Sequence, residues 1–367
     1  MNAHTKHSQQ GRQRVVVLGA GYSGLMAALR VAPHAQVTLV DPVGHLTERV
    51  RLHEVAAGRP ESEITHPLHD FLRHTRVTHH TARATSLDAA ARTVTTDSGL
   101  VLPYDRLVYA LGSSTRFPER AAERVFTAES AAALHKRLLD GPGRLAVVGG
   151  GLTGIEMAAE LAERHGRDWQ VRLLTSGEIA PSVSAKGRTH LRRALAGLGV
   201  RVEEGLRVDD PGSVDADAVV WSASMSPNTG LAASAGLALN SLGRVDVDAA
   251  RRSLSHPEIY VAGDAGGTHR MSCAAALPMG SRIATSILAE GRGLDPVPKP
   301  VTYVLQCVSL GRHGGLVQSV RKDDSPRDLV LTGRPAAFVK EQICASTVKS
   351  LAFAARRPGA VGLSPGF

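Results

Sequence analysis

Short apolar runs alternate along the chain with amphipathic or alanine-rich stretches, and glycines often separate the two. The clearest case is the apolar run from Val15 to Leu18, which a glycine turn joins to an alanine-rich stretch. A run of this length and composition is typical of a strand that is buried on both faces of a parallel sheet. The pattern therefore predicts a strand, a tight turn and a helix, followed by a second strand from Val37 to Val40.

The glycines of this turn are Gly19, Gly21 and Gly24, and Asp41 follows the second strand. In a dinucleotide-binding fold, the first glycine permits the tight turn, the second lets the backbone approach a pyrophosphate, and the third lets the helix pack on the strand. The helix N-terminus offers N–H groups to the phosphates, and the acid binds the ribose hydroxyls. The alternative is an ordinary turn with a chance set of glycines, but the full strand–turn–helix context favours a dinucleotide site.

The same pattern recurs in the middle of the chain, where an apolar run ending at Val148 leads into Gly149, Gly151 and Gly154 and a second helix. Two such modules predict two dinucleotides that face each other, one of them a permanently bound flavin. The second module differs at the end of its second strand, where Thr175 stands in place of the acid. Because this position has neither a carboxylate nor an adjacent arginine, we expect weak discrimination between NADH and NADPH.

Two later strands are predicted to end close to the bound nucleotide. Alternation over 83–101 predicts a small antiparallel meander, and the next apolar strand ends at Gly112, where the missing side chain permits close approach. A further apolar strand ends in Gly263 and Asp264. A Gly-Asp turn after a strand is common in itself. In this context, however, its carboxylate can bind the ribityl chain of a flavin.

The composition changes at 296–300, where three of five residues are proline. Strands are predicted over 303–311 and 328–332, and a helix over 335–357 that carries both apolar and basic side chains. Packing in a core or in a homodimer is the favoured role of this helix. Peripheral contact with an anionic membrane is the alternative.

Composition narrows the class of protein. Apolar residues make up 43% of the 367 residues, and 43 Lys and Arg against 34 Asp and Glu give a net charge of +9 without a long run of one sign. This diffuse excess suits anionic small molecules or an ordinary basic surface, and the 4% of aromatic residues argues against nucleic-acid stacking. With no apolar run near the roughly 18 to 20 residues that span a bilayer, and no signal peptide, we expect a cytoplasmic protein, with any membrane contact peripheral at the inner face.

The chain offers few other candidates for chemistry. Its cysteines, Cys273, Cys307 and Cys344, form no CxxC or CxxxxC pair, which fits a reducing compartment. Near the start of a helix, Cys273 is either a thiol of lowered pKa or, more in keeping with its small size, a packing residue. Histidines over 66–80 lack partners at ligand spacing, so we predict no metal site. The polar stretch 45–58 is either an exposed helix or, given its place after Asp41, part of the cofactor site.

Together these motifs resemble the two-dinucleotide-binding-domain flavoproteins of the pyridine nucleotide–disulfide reductase superfamily over about residues 14–295, with the type II NADH dehydrogenases most similar. The resemblance implies an α/β fold with two Rossmann-like domains and a small C-terminal α+β domain. The FAD-binding domain would be discontinuous, over 14–114 and 243–295. The NAD(P)H-binding domain would be inserted over 115–242, and a C-terminal interface domain would cover 296–367.

The resemblance also implies the site residues and the cofactors, FAD with NADH or NADPH as co-substrate. Glu156 would orient the nicotinamide, and hydride would pass to flavin N5. Cys273 is the second catalytic candidate. The cofactor-binding residues that we predict are Gly19, Gly21, Gly24, Asp41, Thr47, Arg49, Arg83, Gly112, Gly149, Gly151, Gly154, Gly263 and Asp264.

Two departures from the family leave the electron acceptor open. No CxxxxC follows Asp41, so disulfide substrates are not expected, and the stretch Met271–Gly280 lacks the glutamines that the family places where a quinone docks. We expect an FAD-dependent NAD(P)H:acceptor oxidoreductase whose acceptor is a quinone or another small molecule. The alternatives are a pathway-specific flavoenzyme acting on a small organic substrate and a redox-responsive flavin-binding protein without rapid turnover.

Overall fold

In the computed structural model, the described residues are 12–117, 123–296, 298 and 300–359. The first sheet is parallel and five-stranded. Its strands in spatial order are β17 (Ile259–Val261), β9 (Arg106–Tyr109), β1 (Arg14–Leu18), β2 (Gln36–Asp41) and β5 (Val77–Thr81). Two segments far apart in sequence therefore build one sheet.

Both faces of this sheet are buried, which explains the continuous apolar run in β1. Val15 and Val17 pack with helices α1 (Tyr22–Val31), α8 (Cys273–Glu290) and α9 (Gly333–Arg356). Val16 and Leu18 pack on the other face with the predicted antiparallel meander. The strands of that meander are β6 (Ala84–Asp88), β7 (Thr93–Thr96) and β8 (Val101–Pro103).

The second sheet repeats this arrangement. Its five parallel strands in spatial order are β11 (Val125–Phe126), β15 (Ala218–Trp221), β12 (Gly143–Val148), β13 (Trp169–Leu174) and β14 (Arg201–Glu203). Helices α5 (Leu152–His165) and α6 (Ala185–Gly197) pack on one face, and α4 (Ala131–Leu139) joins the same core. The two sheets are connected through β10 (Ser113–Thr115), which pairs antiparallel with β16 (Met225–Pro227).

The C-terminal part forms a third, antiparallel sheet in the order β18 (Leu305–Ser309), β19 (Gly315–Val320) and β20 (Pro326–Thr332), followed by the long helix α9. Two of these strands and the helix match the sequence prediction, whereas β19 was not predicted. The proposed C-terminal domain of 296–367 extends past the described residues, because 360–367 lie outside them.

The polar stretch 45–58 is not the single exposed helix that was one of its two interpretations. It forms β3 (His45–Thr47), paired with β4 (Thr65–Pro67), then a short 3-10 turn (Arg49–Arg51) and α2 (Leu52–Ala56). The side chains of Glu48, Arg51 and Glu54 are buried together with His53. The remaining short helices are α3 (Leu68–Leu72) and α7 (Gly230–Ser234).

Candidate active site

The first glycine turn leads from β1 into α1 with the geometry that a dinucleotide needs. Gly19 has φ +95°, which favours glycine, and its N–H donates to the Val40 carbonyl at 2.8 Å. A Cβ on Gly24 would collide with the Gly19 carbonyl oxygen, whereas a Cβ on Gly21 would meet nothing within 4 Å. The helix is thus held close to the strand, and open space remains beside its N-terminus.

Asp41 is directed at this turn from the end of β2. Its Oδ2 accepts a hydrogen bond from the Ala20 N–H at 2.6 Å, and its Oδ1 accepts one from the Val43 N–H at 2.9 Å. These contacts fix the orientation of the carboxylate beside the glycine turn. Each oxygen keeps acceptor capacity for a second donor.

The second glycine turn has the same backbone geometry with different surroundings. Gly149 has φ +124°, and a Cβ on Gly154 would collide with the Gly149 carbonyl oxygen. Thr175, at the position equivalent to Asp41, packs against this turn, because a Cβ on Gly150 would lie 2.5 Å from its Oγ1.

One cavity of about 1040 Å³ extends between the two modules and the C-terminal part. It brings together most of the predicted site residues, namely Gly19, Gly21, Asp41, Thr47, Arg49, Arg83, Gly112, Glu156, Gly263, Asp264 and Cys273. Gly24, Gly149, Gly151 and Gly154 are not among its lining residues, although Leu152 and Thr153 in the first turn of α5 are. The second module therefore reaches this cavity through its helix.

The turn after β17 also lines the cavity, and it lies beside the first turn of α1, because a Cβ on Gly263 would lie 2.9 Å from the Ser23 Oγ. Gly263 has φ +66°, and the Asp264 Oδ2 accepts a hydrogen bond from the Ser113 hydroxyl at 2.6 Å. Ser113 was not among the predicted site residues. Its position directly after Gly112 was the available signal.

A buried ion pair reaches the cavity from the C-terminal helix. Lys340 on α9 is 6% exposed, and its Nζ pairs with Glu156 Oε1, which also accepts the Ser309 N–H at 3.0 Å. Burial alone would lower the pKa of Lys340, but the Glu156 carboxylate raises it above its ordinary value. Lys340 is therefore an ammonium group that fixes the Glu156 side chain.

Sequence reasoning missed Lys340, although a signal was present. The residue lies on the buried stripe of α9 with Ala336, Cys344, Thr347 and Leu351. A charge on such a stripe requires a partner, because an unpaired buried charge is strongly unfavourable.

A second buried charge cluster ties 45–58 to the same helix. The Arg51 guanidinium, in a residue 3% exposed, donates to Glu48 at 3.0 Å and to Glu54 at 3.2 Å, and it forms two hydrogen bonds of 2.7 and 2.8 Å to Glu341 on α9. This cluster connects the stretch 45–58 to α9, which lines the cavity.

Within the described residues, no group of three or more His, Cys, Asp or Glu is placed to hold a metal ion.

All three cysteines line the cavity, although they are far apart in sequence. Burial raises the pKa of Cys273 to about 11 and that of Cys344 to about 12, and it also raises the pKa of Cys307. Of the two interpretations of Cys273, this burial favours the packing residue over the thiol of lowered pKa. The thiol stays protonated near neutral pH.

Comparison with known proteins places this geometry in context. Residues 13–280 match the family model described as pyridine nucleotide-disulphide oxidoreductase. An NADH dehydrogenase-like protein of Mycobacterium tuberculosis is 30% identical over 376 residues, which cover 90% of this chain and 92% of that protein. A type II NADH:quinone oxidoreductase of Staphylococcus saprophyticus is 26% identical over 97% of this chain and 98% of its own length.

Solved structures share the fold. The sulfide:quinone oxidoreductase of Aquifex aeolicus superposes with a TM-score of 0.81 at 19% identity, over 95% of this chain and 93% of that one. NDH2 of Plasmodium falciparum superposes with a TM-score of 0.78 at 13% identity, over 97% and 99%. These likenesses confirm the predicted fold class. Among the described residues, no helix is both long enough and apolar enough to cross a bilayer.

Proposed function

Because this chain belongs to the pyridine nucleotide-disulphide oxidoreductase family, we propose that it transfers electrons from NADH or NADPH through FAD to a quinone or another small acceptor. Family membership confirms the coarser prediction of an oxidoreductase that uses FAD and a nicotinamide co-substrate. The observation that carries the finer proposal is the cavity described above, because the first glycine turn, Asp264 and the first turns of α5 all line it.

The residues around this cavity suit FAD. Gly21 leaves open space where a pyrophosphate would lie, and Asp41 is aimed at that turn as a ribose acceptor would be. Asp264 lines the same cavity, where its carboxylate would bind the ribityl hydroxyls. When bound, FAD supplies the chemistry of accepting a hydride from the nicotinamide and passing the electrons to the acceptor.

We assign the sequence to domains accordingly. Residues 14–114 and 243–295 would bind FAD, residues 115–242 would bind NAD(P)H, and 296–367 would form the interface domain. Thr47, Arg49, Arg83, Gly112 and Gly263 would border the flavin as cavity residues. Gly149, Gly151 and Gly154 would bind the nicotinamide dinucleotide from the adjoining turn.

Glu156 would orient the nicotinamide. Its carboxylate is fixed by Lys340 on one side and by the Ser309 N–H on the other, so it enters the cavity in a defined position. A carboxylate fixed in this way would hold the nicotinamide in one orientation and so restrict the geometry of hydride transfer. The raised pKa of Cys273 favours packing over a catalytic role for that residue.

A quinone acceptor rests on resemblance to relatives such as the Staphylococcus saprophyticus enzyme, whose name specifies a quinone. The pathway-specific alternative is favoured by one observation. The stretch Met271–Gly280 offers no glutamine, and the amide of Gln306 on the cavity wall is already hydrogen-bonded to the Ser182 hydroxyl at 3.0 Å. Peripheral membrane contact through 335–357, a homodimer and a cytoplasmic location stay predictions.

The acceptor is tested by reducing the protein anaerobically with NADH or NADPH and mixing it with soluble quinones and other small oxidants. Rapid return of the oxidised flavin spectrum with quinones supports the proposal. Reoxidation only by another organic substrate supports the pathway-specific enzyme. Reduction of the flavin that none of these oxidants reverses, with a long-lived charge-transfer band, supports the binding protein.

A further inference from the structure

Side chains of the segment 239–253 donate hydrogen bonds to the backbone before and after Gly263 and Asp264. Arg251 donates from Nη2 to the Gly266 carbonyl at 2.9 Å and from Nε to the Val261 carbonyl at 3.3 Å. In the same segment, Arg244 donates to the His269 carbonyl, and Asn240 donates to the Gly267 carbonyl at 3.3 Å. The loop is thus fixed by donors that do not line the cavity.

His269 connects Arg251 to the turn itself. The Arg251 Nη1 lies 3.4 Å from His269 Nδ1, and His269 Nε2 lies 3.2 Å from the Gly263 carbonyl oxygen. A guanidinium can only donate, so Nδ1 accepts, and Nε2 carries the proton and donates to Gly263. Burial, with the charges of Arg251 and Arg244, lowers the pKa of His269 to about 3, which keeps this neutral tautomer.

The backbone of Arg251 is itself unusual. Its φ of +74° is left-handed, a conformation that is uncommon outside glycine. A glycine would adopt this conformation more readily, so the backbone alone does not explain an arginine here. We attribute its presence to the hydrogen bonds of its side chain. Outliers of this kind concentrate at functional sites.

We propose that Arg251 and His269 are positioning residues of the flavin site, which hold Gly263 in its left-handed conformation and thereby direct the Asp264 carboxylate into the cavity. Arg251 reaches Gly263 through the imidazole, and Asp264 then meets the Ser113 hydroxyl at 2.6 Å. The inference rests on the proposed function, in which Asp264 binds FAD.

Arg251→Gly is the direct test, because it removes the guanidinium and leaves the left-handed backbone unstrained. We expect its apoprotein to bind FAD about tenfold more weakly, the order seen when a supporting residue of a ligand site is lost, while the KM for NADH stays unchanged. FAD binding is measured by quenching of flavin fluorescence on reconstitution. Arg252→Ala is the control, because Arg252 pairs with Asp248 and Glu290 and makes none of these loop contacts.

His269 provides a second, independent pair of variants. Glutamine can both donate and accept, so His269→Gln should retain more FAD affinity than His269→Leu. This rescue separates positioning from packing, because both replacements have a similar volume. Equal losses in the two variants would contradict the proposal.

Asp264→Asn distinguishes failure of the inference from failure of the proposed function. If Asp264→Asn binds FAD as the unmodified protein does, the assignment of the flavin site is wrong. If Asp264→Asn weakens binding while Arg251→Gly matches Arg252→Ala, the flavin site stands and the positioning role is overturned.

Discussion

The two glycine turns share a backbone and differ in their side chains. Gly19 and Gly149 both adopt positive φ, and in both turns a Cβ on the third glycine would collide with the carbonyl oxygen of the first. The first turn adds Asp41 at the end of the neighbouring strand, and the second has Thr175 there. In our proposal the backbone of each turn would hold a pyrophosphate, and the flanking side chain would determine which nucleotide is bound.

The helices that follow the turns differ in the same way. Two residues after the third glycine, α1 carries Met26, which is buried in an apolar core, and α5 carries Glu156, which faces the cavity and pairs with Lys340. In our proposal the first module holds FAD permanently, and the second binds a nicotinamide that must exchange. In this proposal Glu156, the polar residue at this position of α5, would act on the exchanging nicotinamide.

The assignment of FAD to the first turn and the nicotinamide to the second is tested most strongly by adding the same methyl group to each turn in separate variants. Gly24→Ala should yield protein without bound flavin, because the methyl forces α1 away from β1. Gly154→Ala should retain the flavin spectrum and lose about 100-fold in kcat/KM for NADH, since only the nicotinamide turn is disturbed. Flavin absorbance and steady-state kinetics measure the two effects.

Gly177→Ala serves as the control for both variants, because a Cβ there would meet nothing within 4 Å. Loss of flavin from Gly154→Ala but not from Gly24→Ala would reverse our assignment of the two modules.

At the position where α1 carries the buried Met26, α5 carries the ion pair of Glu156 with Lys340, and this pair should contribute to stability. Lys340→Met leaves the half-buried Glu156 carboxylate without its cationic partner, so the free energy of unfolding should fall by about 3 kcal/mol. Adding Glu156→Gln should restore most of it, because no buried charge then lacks a partner. Denaturant unfolding measures both variants.

Arg207→Met, which breaks the exposed pair with Asp209, should leave the free energy of unfolding nearly unchanged. If the double variant is no more stable than Lys340→Met, the pair does not act as a unit.

A smaller effect should follow from making the second turn resemble the first. The unmodified protein should prefer NADH over NADPH by less than about 10³-fold, which corresponds to roughly 4 kcal/mol. Thr175→Asp should shift this ratio toward NADH by about tenfold, because the new carboxylate repels a 2′-phosphate. Competition kinetics with both nucleotides give the ratio, and no shift would show that this position does not contact the ribose.

The smallest effect is expected from the thiol nearest the start of α8. Cys273→Ser should leave turnover unchanged at pH 7, because burial keeps the thiol protonated. A large drop in kcat, with flavin content preserved, would instead assign the residue a catalytic role.

The turns, the parallel sheets and Asp41 were predictable because each is encoded locally. The apolar run in β1 and the glycines next to it determine the geometry within a few residues. The pair of Glu156 and Lys340 was not predictable in this way, because 184 positions separate its members. The buried stripe of α9 shows that Lys340 needs a partner, but only the packing of α9 near α5 identifies it.

Other outcomes depended on burial, which a sequence pattern does not measure. Desolvation raises the pKa of Cys273, which favours the packing residue of its two interpretations. The charged stretch 45–58 became a buried network because Arg51 meets Glu341 from α9, which is distant in sequence. Strand β19 was missed because it begins at the second of two glycines and carries polar residues, including Gln318, which is fully buried.

The central claim is that one cavity holds FAD and receives a hydride from a nicotinamide bound by the second module. Anaerobic titration of the purified protein with NADH, followed by absorbance near the flavin maximum, tests it most directly. We predict a yellow protein whose flavin band disappears after about one equivalent of NADH per bound FAD. A protein that is colourless and cannot be reconstituted with FAD, or whose flavin is not reduced by NADH or NADPH, would contradict the account.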